Sequence, residues 1–162
     1  MDTNNKHTIL SILELVCDPE IPVLTIADMG IIRDVVFNND EVEVIITPTY
    51  SGCPAMDAIS MDIRMKLLEH GYKKIKVTSV LSPAWTTDWM SEDGKRKLEE
   101  YGIAPPRSRS DETSDLSSDK KIKCPNCNSL NTNLLSQFSS TACKALYQCN
   151  DCKEPFDYFK CH

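Results

Sequence analysis

Two paired sets of cysteines and one isolated cysteine carry most of the chemistry legible in this chain. "CPNC" at Cys124–Cys127 and "CNDC" at Cys149–Cys152 are C-x2-C hooks separated by 21 residues. Two residues between thiolates let a tight turn aim both sulfurs at one ion, and two such turns complete the tetrahedral four-thiolate shell that structural Zn2+ prefers. Four thiolates also suit iron, so spacing alone leaves zinc and an iron-sulfur site open. A redox use of C-x2-C expects one hook beside a βαβ pattern. Here two hooks close a segment in which "NTNLLSQF", "KALYQC" and "EPFDYFK" read as strands, the pattern of a zinc ribbon. Residues 124–162 are too few to fold on apolar burial alone, whereas structural zinc in small peptides contributes on the order of 10–16 kcal/mol. Cys143, six residues before Cys149, reads as a small buried strand residue rather than an extra ligand. Cys161 and His162 are either an unused tail or further ligands.

The isolated cysteine lies in "TYSGCPAMDAISM", where a loop becomes a helix. Proline is well tolerated as the first helical residue, which makes Pro54 that residue and Cys53 the cap. A helix N-terminus favours a thiolate, able to attack an electrophile or bind a soft metal. The alternative is a small residue in a tight turn. No histidine is near in sequence to act as a base, since His7, His70 and His162 are the whole supply. That counts against an enzymatic nucleophile acting on a thioester.

Acidic residues mark two other turns. Asp18 and Glu20 sit in "CDPEIP" between prolines, and Asp28 precedes a strand in "IADMGII". They could serve as metal ligands or acid/base groups, or remain ordinary turn residues. Cys17 continues the apolar stripe of the first helix and is expected in the core. Trp85 and Trp89, one helical turn apart, are either core or an anchor for a partner.

These residues need a scaffold, and the apolar periodicity outlines one. Ile9, Ile12, Leu13 and Val16 repeat at helical spacing until Pro19 and Pro22 forbid more helix. "IIRDVVFNNDEVEVIITP" holds two β-rich runs around Asn38, Asn39 and Asp40, a hairpin with Val42, Val44 and Ile46 on one face. From Pro54, the residues Met56, Ile59, Ile63 and Leu67 form a helical stripe that Gly71 ends, before the strand "KKIKVTSVL". A short helix is expected over Ser91–Tyr101. The order α-β-β-α-β-α implies an α+β fold, a small mixed sheet covered by helices, followed by the β-rich ribbon.

Residues 107–123, "RSRSDETSDLSSDKKIK", are dominated by serine and charge and read as a polar linker. The expected organisation is an α+β domain over 1–106, the linker, and a ribbon over 124–162. Net charge is −6, and residues 1–106 hold 10 basic against 17 acidic groups, a balance that excludes a nucleic-acid partner recognised by charge. The apolar runs fall far short of the roughly 20 residues that cross a bilayer, and the N-terminus lacks a secretory pattern. A cytoplasmic setting with reduced thiols is the expectation.

"DPEIPVLTIADMGIIRDV" followed by "TPTYSGCPAMD" closely resembles the MIP18-like (DUF59) family, over roughly residues 7–103. With "SQFSSTACKALYQCNDCKEPFDYFKCH" after it, the chain resembles the D-subunit family of the multicomponent phenylacetyl-CoA 1,2-epoxidases of aerobic phenylacetate catabolism. The resemblance implies an accessory role in maturing a metal centre or iron-sulfur cluster, with no catalytic step of its own. It implies a pocket formed by Asp18, Glu20, Thr47, Thr49 and Cys53, with Cys53 as a reactive thiolate or transient ligand for iron or a cluster. Implied partners are the reductase or di-iron oxygenase components. The alternative is a non-catalytic component that stabilises one of them.

Overall fold

The computed structural model describes residues 2–107 and 121–160. Within them the elements run α1 (Asp2–Leu13), β1 (Ile32–Asn38), β2 (Glu41–Ile46), α2 (Ala55–Glu69), β3 (Lys74–Ser79), α3 (Glu92–Tyr101), β4 (Ile103–Ala104), β5 (Thr132–Ser136), β6 (Lys144–Cys149) and β7 (Pro155–Phe159). The expected order is present, as is the α+β class.

β1 and β2 form the antiparallel hairpin, turning at Asn39 with φ 57°, a left-handed position that asparagine tolerates. Val42, Val44 and Ile46 alternate into the core. Chain continuing from β2 crosses through α2 and returns as β3, which pairs with β2 in parallel to give the mixed sheet β1-β2-β3. Ile59, Ile63 and Leu67 of α2 and Ile9 and Leu13 of α1 are buried with them. The β1–β2 register slips between Ile32 and Asp34, leaving Arg33 as a bulge whose guanidinium lies 4.0 Å from the Trp89 ring centroid.

The chain divides into two compact units, Met1–Trp85 with Trp89–Ser91, and Thr86–Asp88 with Glu92–His162. The expected boundary at residue 106 differs from this division. β4 pairs with β7, so the second sheet runs β4-β7-β6-β5. Ile122, expected in the linker, is buried in a cluster with Ala104, Cys124, Ala145, Tyr147, Cys149 and Phe156. The physical reason is the small size of the ribbon: strands β5–β7 leave an apolar face that β4 and Ile122 cover. Residues 108–120 of the expected linker lie outside the described residues, as do Cys161 and His162.

The tryptophan question resolves toward packing. Trp85 is buried and its Nε1 donates to the Met29 carbonyl at 2.8 Å, while Trp89 is half-buried beneath Arg33. Gly30, at φ +68°, lies so close to this segment that an added Cβ would stand 2.1 Å from the Trp89 carbonyl oxygen. Cys17, expected in the core, is instead half-buried, because α1 ends at Leu13 and Cys17 forms an isolated β-bridge with Thr25.

Candidate metal centre and cysteine loop

The two hooks converge. The sulfurs of Cys124, Cys127, Cys149 and Cys152 all lie within 4.8 Å of one another, with Cys124 to Cys152 at 3.8 Å and Cys127 to Cys149 at 3.5 Å. A tetrahedral ion with bonds of about 2.3 Å to sulfur requires edges of about 3.8 Å, whereas a disulfide requires about 2.05 Å. The donor set therefore fits one four-coordinate ion. A polynuclear cluster distributes its thiolates over several irons and needs a wider set.

Local chemistry shapes each hook. The residue after each second cysteine, Asn128 and Lys153, takes a left-handed φ of 63° and 66°, reversing the chain at the knuckle. Asn128 N–H donates to the Cys124 carbonyl at 2.9 Å, and Cys124 N–H to the Ser129 carbonyl at 2.9 Å. Asp151 joins the hooks by accepting from the Ser129 hydroxyl and, at 2.8 Å, from Asn131 Nδ2. The Ser129 and Asn131 bonds hold its carboxyl below the usual range. Sequence reading missed this tie, although an acid inside one hook and Ser/Asn just after the other was its available signal.

Four thiols this close resist sharing negative charge without a cation. Cys149 receives the N–H groups of Cys152 and Asp151, which hold it down to about 7. Cys152 accepts from the Glu154 N–H, which lowers it, but desolvation and the neighbouring thiols push it up to about 12. A divalent ion relieves this conflict by stabilising every thiolate at once. Cys143 is buried outside the cluster, with its sulfur 3.1 Å from Thr141 Oγ1.

The second candidate site lies on the loop from β2 to α2, at the carboxyl end of a strand in a parallel pair and the start of a helix. That is the position where α/β units commonly bind ligands. The hydrogen-bonded helix begins at Ala55 with Pro54 before it, but the φ −69° and ψ −20° of Pro54 are already helical, so by dihedral angle Pro54 opens the helix and Cys53 stands at its start, as expected. Cys53 is half-buried, and its carbonyl accepts the Met56 N–H at 3.3 Å. Thr49 is half-buried as well. Thr47 is 1% exposed and donates its N–H to the Ile31 carbonyl, yet its Oγ1 has no hydrogen-bond partner, the one such buried side-chain atom among the described residues. Such an atom costs about 1–3 kcal/mol unless a polar partner meets it.

The acids of the other turns have structural work. Asp18 is buried, and its Oδ1 accepts the N–H groups of Glu20 and Ile21, both at 2.8 Å; Glu20 is exposed. Asp18 also lines a cavity of about 350 Å³ with Leu15, Cys17, Asp62 and Met65, and this cavity includes none of Thr47, Thr49 and Cys53. Asp28 and Thr25 cap one another, with Thr25 N–H to Asp28 Oδ2 at 3.2 Å and Asp28 N–H to Thr25 Oγ1 at 3.0 Å. Ser91 donates to Asp28 Oδ1 at 3.0 Å, so this carboxylate fastens the tryptophan segment.

Comparisons with known proteins place both sites in context. Residues 6–81 match the family model "Iron-sulfur cluster assembly protein", and residues 108–160 match the "PaaD zinc beta ribbon domain". A Porphyromonas gingivalis (strain ATCC BAA-308 / W83) protein named Fe-S protein maturation auxiliary factor is 40% identical over 95 residues, covering 57% of this chain and 90% of its own. The crystal structure of a DUF59 domain from Bacillus anthracis superposes with a TM-score of 0.54 at 29% identity, covering 57% of this chain and 90% of that one. An Escherichia coli (strain K12) protein, named there as the D-subunit of 1,2-phenylacetyl-CoA epoxidase, is 47% identical over 155 residues, covering 96% of this chain and 92% of the relative. With that identity over nearly its whole length, and the assembly and ribbon models matched in this order, the chain belongs to the D-subunit family of the 1,2-phenylacetyl-CoA epoxidases.

Proposed function

We propose that the protein is an accessory factor that assembles or delivers the iron or iron-sulfur centre of a multicomponent phenylacetyl-CoA epoxidase in the cytoplasm, where its thiols stay reduced. The observation that carries this reading is the union, in one chain of that family, of an assembly-type domain with a PaaD-type ribbon. Iron is the cargo. Cys53 offers a thiolate to it, the orphaned Thr47 hydroxyl and Thr49 on the same loop supply polar contacts, and Asp18 and Glu20, which the family resemblance adds to the site, shape it. The ribbon's ion is zinc, bound by Cys124, Cys127, Cys149 and Cys152, and its chemistry is a four-point cross-link of two hooks. The partners are the reductase or the di-iron oxygenase.

Anaerobic addition of iron and sulfide to the purified, zinc-loaded protein tests the reading. Iron bound beyond the zinc, lost in Cys53→Ser, supports it; no uptake, or uptake indifferent to Cys53, contradicts it. A structural-component reading draws on β5, an edge strand on which Leu134 and Leu135 are exposed, with Leu130 and Phe138 exposed beside it. Under that reading, removal of residues 107–162 abolishes complex formation and activity together, while Cys53→Ser is silent.

A further inference from the structure

α2 is apolar on two opposite faces. Ile59, Ile63 and Leu67 point inward and are at most 1% exposed, while Met61, Met65 and Leu68, half a turn away, are 64%, 51% and 53% exposed. A helix packed on a sheet ordinarily turns polar residues outward, and a solvent-facing apolar stripe marks a surface that another molecule covers. A cavity of about 350 Å³ runs beside this stripe. Met65 forms its helix side, and the exposed Leu15 with Cys17, Pro19 and Pro22 forms the opposite wall.

Charge identifies the occupant. The cavity side of α2 carries Asp62 and Glu69, and its cation, Lys66, is engaged by Glu69 at 3.1 Å. Across the cavity, Asp18 is a further carboxylate. With Glu69 set against Lys66, Asp62 and Asp18 leave the cavity side of the apolar anchors net negative, while the exposed Arg64 lies on the other side of the stripe. A second copy would bring the same acids and the same −6 net charge to the contact, and an anionic lipid surface would be repelled. Methionine, unbranched and polarizable, adapts to anchors of varied shape.

We infer that the α2 stripe and its cavity are a docking groove for an amphipathic helical segment of a partner protein, carrying apolar anchors at i, i+4 and i+7 with lysine or arginine on the flank that faces Asp62. The inference goes beyond the metal-centre reading, because it holds whichever cargo Cys53 handles.

The test titrates the full, zinc-loaded chain with a synthetic helical peptide bearing leucines at i, i+4 and i+7 and lysines along one flank, against a counterpart with glutamates in place of the lysines. The lysine peptide should bind at least about tenfold more tightly, a difference worth about 1.4 kcal/mol. Met65→Glu should weaken it about tenfold or more, and Asp62→Lys with Glu69→Lys should invert the order of the two peptides. Met61→Ser, at an exposed position, is the second variant should Met65→Glu lower the melting temperature. Equal affinity for both peptides, or affinity indifferent to these substitutions, overturns the proposal. So does self-association of the wild type that Met65→Glu abolishes, or binding to phosphatidylserine vesicles in preference to the lysine peptide.

Discussion

Removing the ribbon's ion should unfold the ribbon and leave the first unit folded. The buried cluster around the hooks consists of Ala104, Ile122, Ala145, Tyr147 and Phe156 together with two of the ligands, Cys124 and Cys149. Without the ion those two sulfurs become loose ends in the cluster, and the four thiols oppose one another's ionisation. Structural zinc contributes on the order of 10–16 kcal/mol in small domains, as much as or more than the about 5–15 kcal/mol that holds an ordinary domain together. Losing it therefore removes a contribution as large as the whole net stability of an ordinary domain. Ile9, Ile63 and Leu67 lie in the other unit and owe nothing to the ion. The assay is amide hydrogen exchange before and after a zinc chelator, with metal content measured in parallel. Amides of Leu146, Tyr147 and Phe156 should lose protection by orders of magnitude, while those of Val42, Val44 and Ile63 should keep theirs. Acid should act in the same direction, since thiolates must shed protons to bind metal, and affinity falls as pH falls. Unchanged protection at Leu146 and Tyr147 after complete metal removal would refute the reasoning and make the ribbon an ordinary apolar fold.

Three further outcomes follow from particular contacts. Thr47→Val, which replaces an unpartnered buried hydroxyl with a methyl of similar shape, should stabilise the isolated protein by about 1–2 kcal/mol yet lower iron delivery; a fall in melting temperature would show the hydroxyl already satisfied. Gly30→Ala should destabilise by about 3 kcal/mol or more in chemical denaturation, combining left-handed backbone strain with the clash against Trp89, and a loss under about 1 kcal/mol would contradict that packing. The hydrogen bond from Lys6 at 2.5 Å holds Asp34 below its ordinary value, so its contribution is present above about pH 4 and lost as pH falls through the depressed pKa. Both partners are about half exposed, so Asp34→Asn should cost under about 1 kcal/mol at pH 7 and converge with the wild type in acid melts.

Much of this was legible in the sequence because it rests on short-range constraints. Hook spacing, the Asn39 turn, the Ile59-Ile63-Leu67 stripe and the Gly71 stop are each set by a few neighbouring residues, and each appears where expected. Tertiary context decided the rest. Ile122 looked like linker because its neighbours are polar, yet the ribbon's small core takes it in. Cys17 kept helical spacing after the helix had ended. The acids Asp18 and Asp28, weighed as ligands, acid/base groups or turn residues, accept backbone N–H groups and, for Asp28, the Ser91 hydroxyl, contacts that only folding brings to them. The outward stripe of α2 was readable as Met61, Met65 and Leu68, but only exposure distinguishes it from core.

The central claim, that Cys53 handles iron on behalf of the epoxidase, is tested most directly in cells expressing the epoxidase components with either the wild-type chain or Cys53→Ser. Serine retains the size of the side chain at a half-buried loop position, so the substitution should cost about 1 kcal/mol or less and leave folding intact. The measurement is iron and acid-labile sulfide per purified oxygenase and per purified reductase. A several-fold loss from one component, with zinc still bound to the variant's ribbon, is the predicted result; full iron occupancy and normal epoxidation would contradict it.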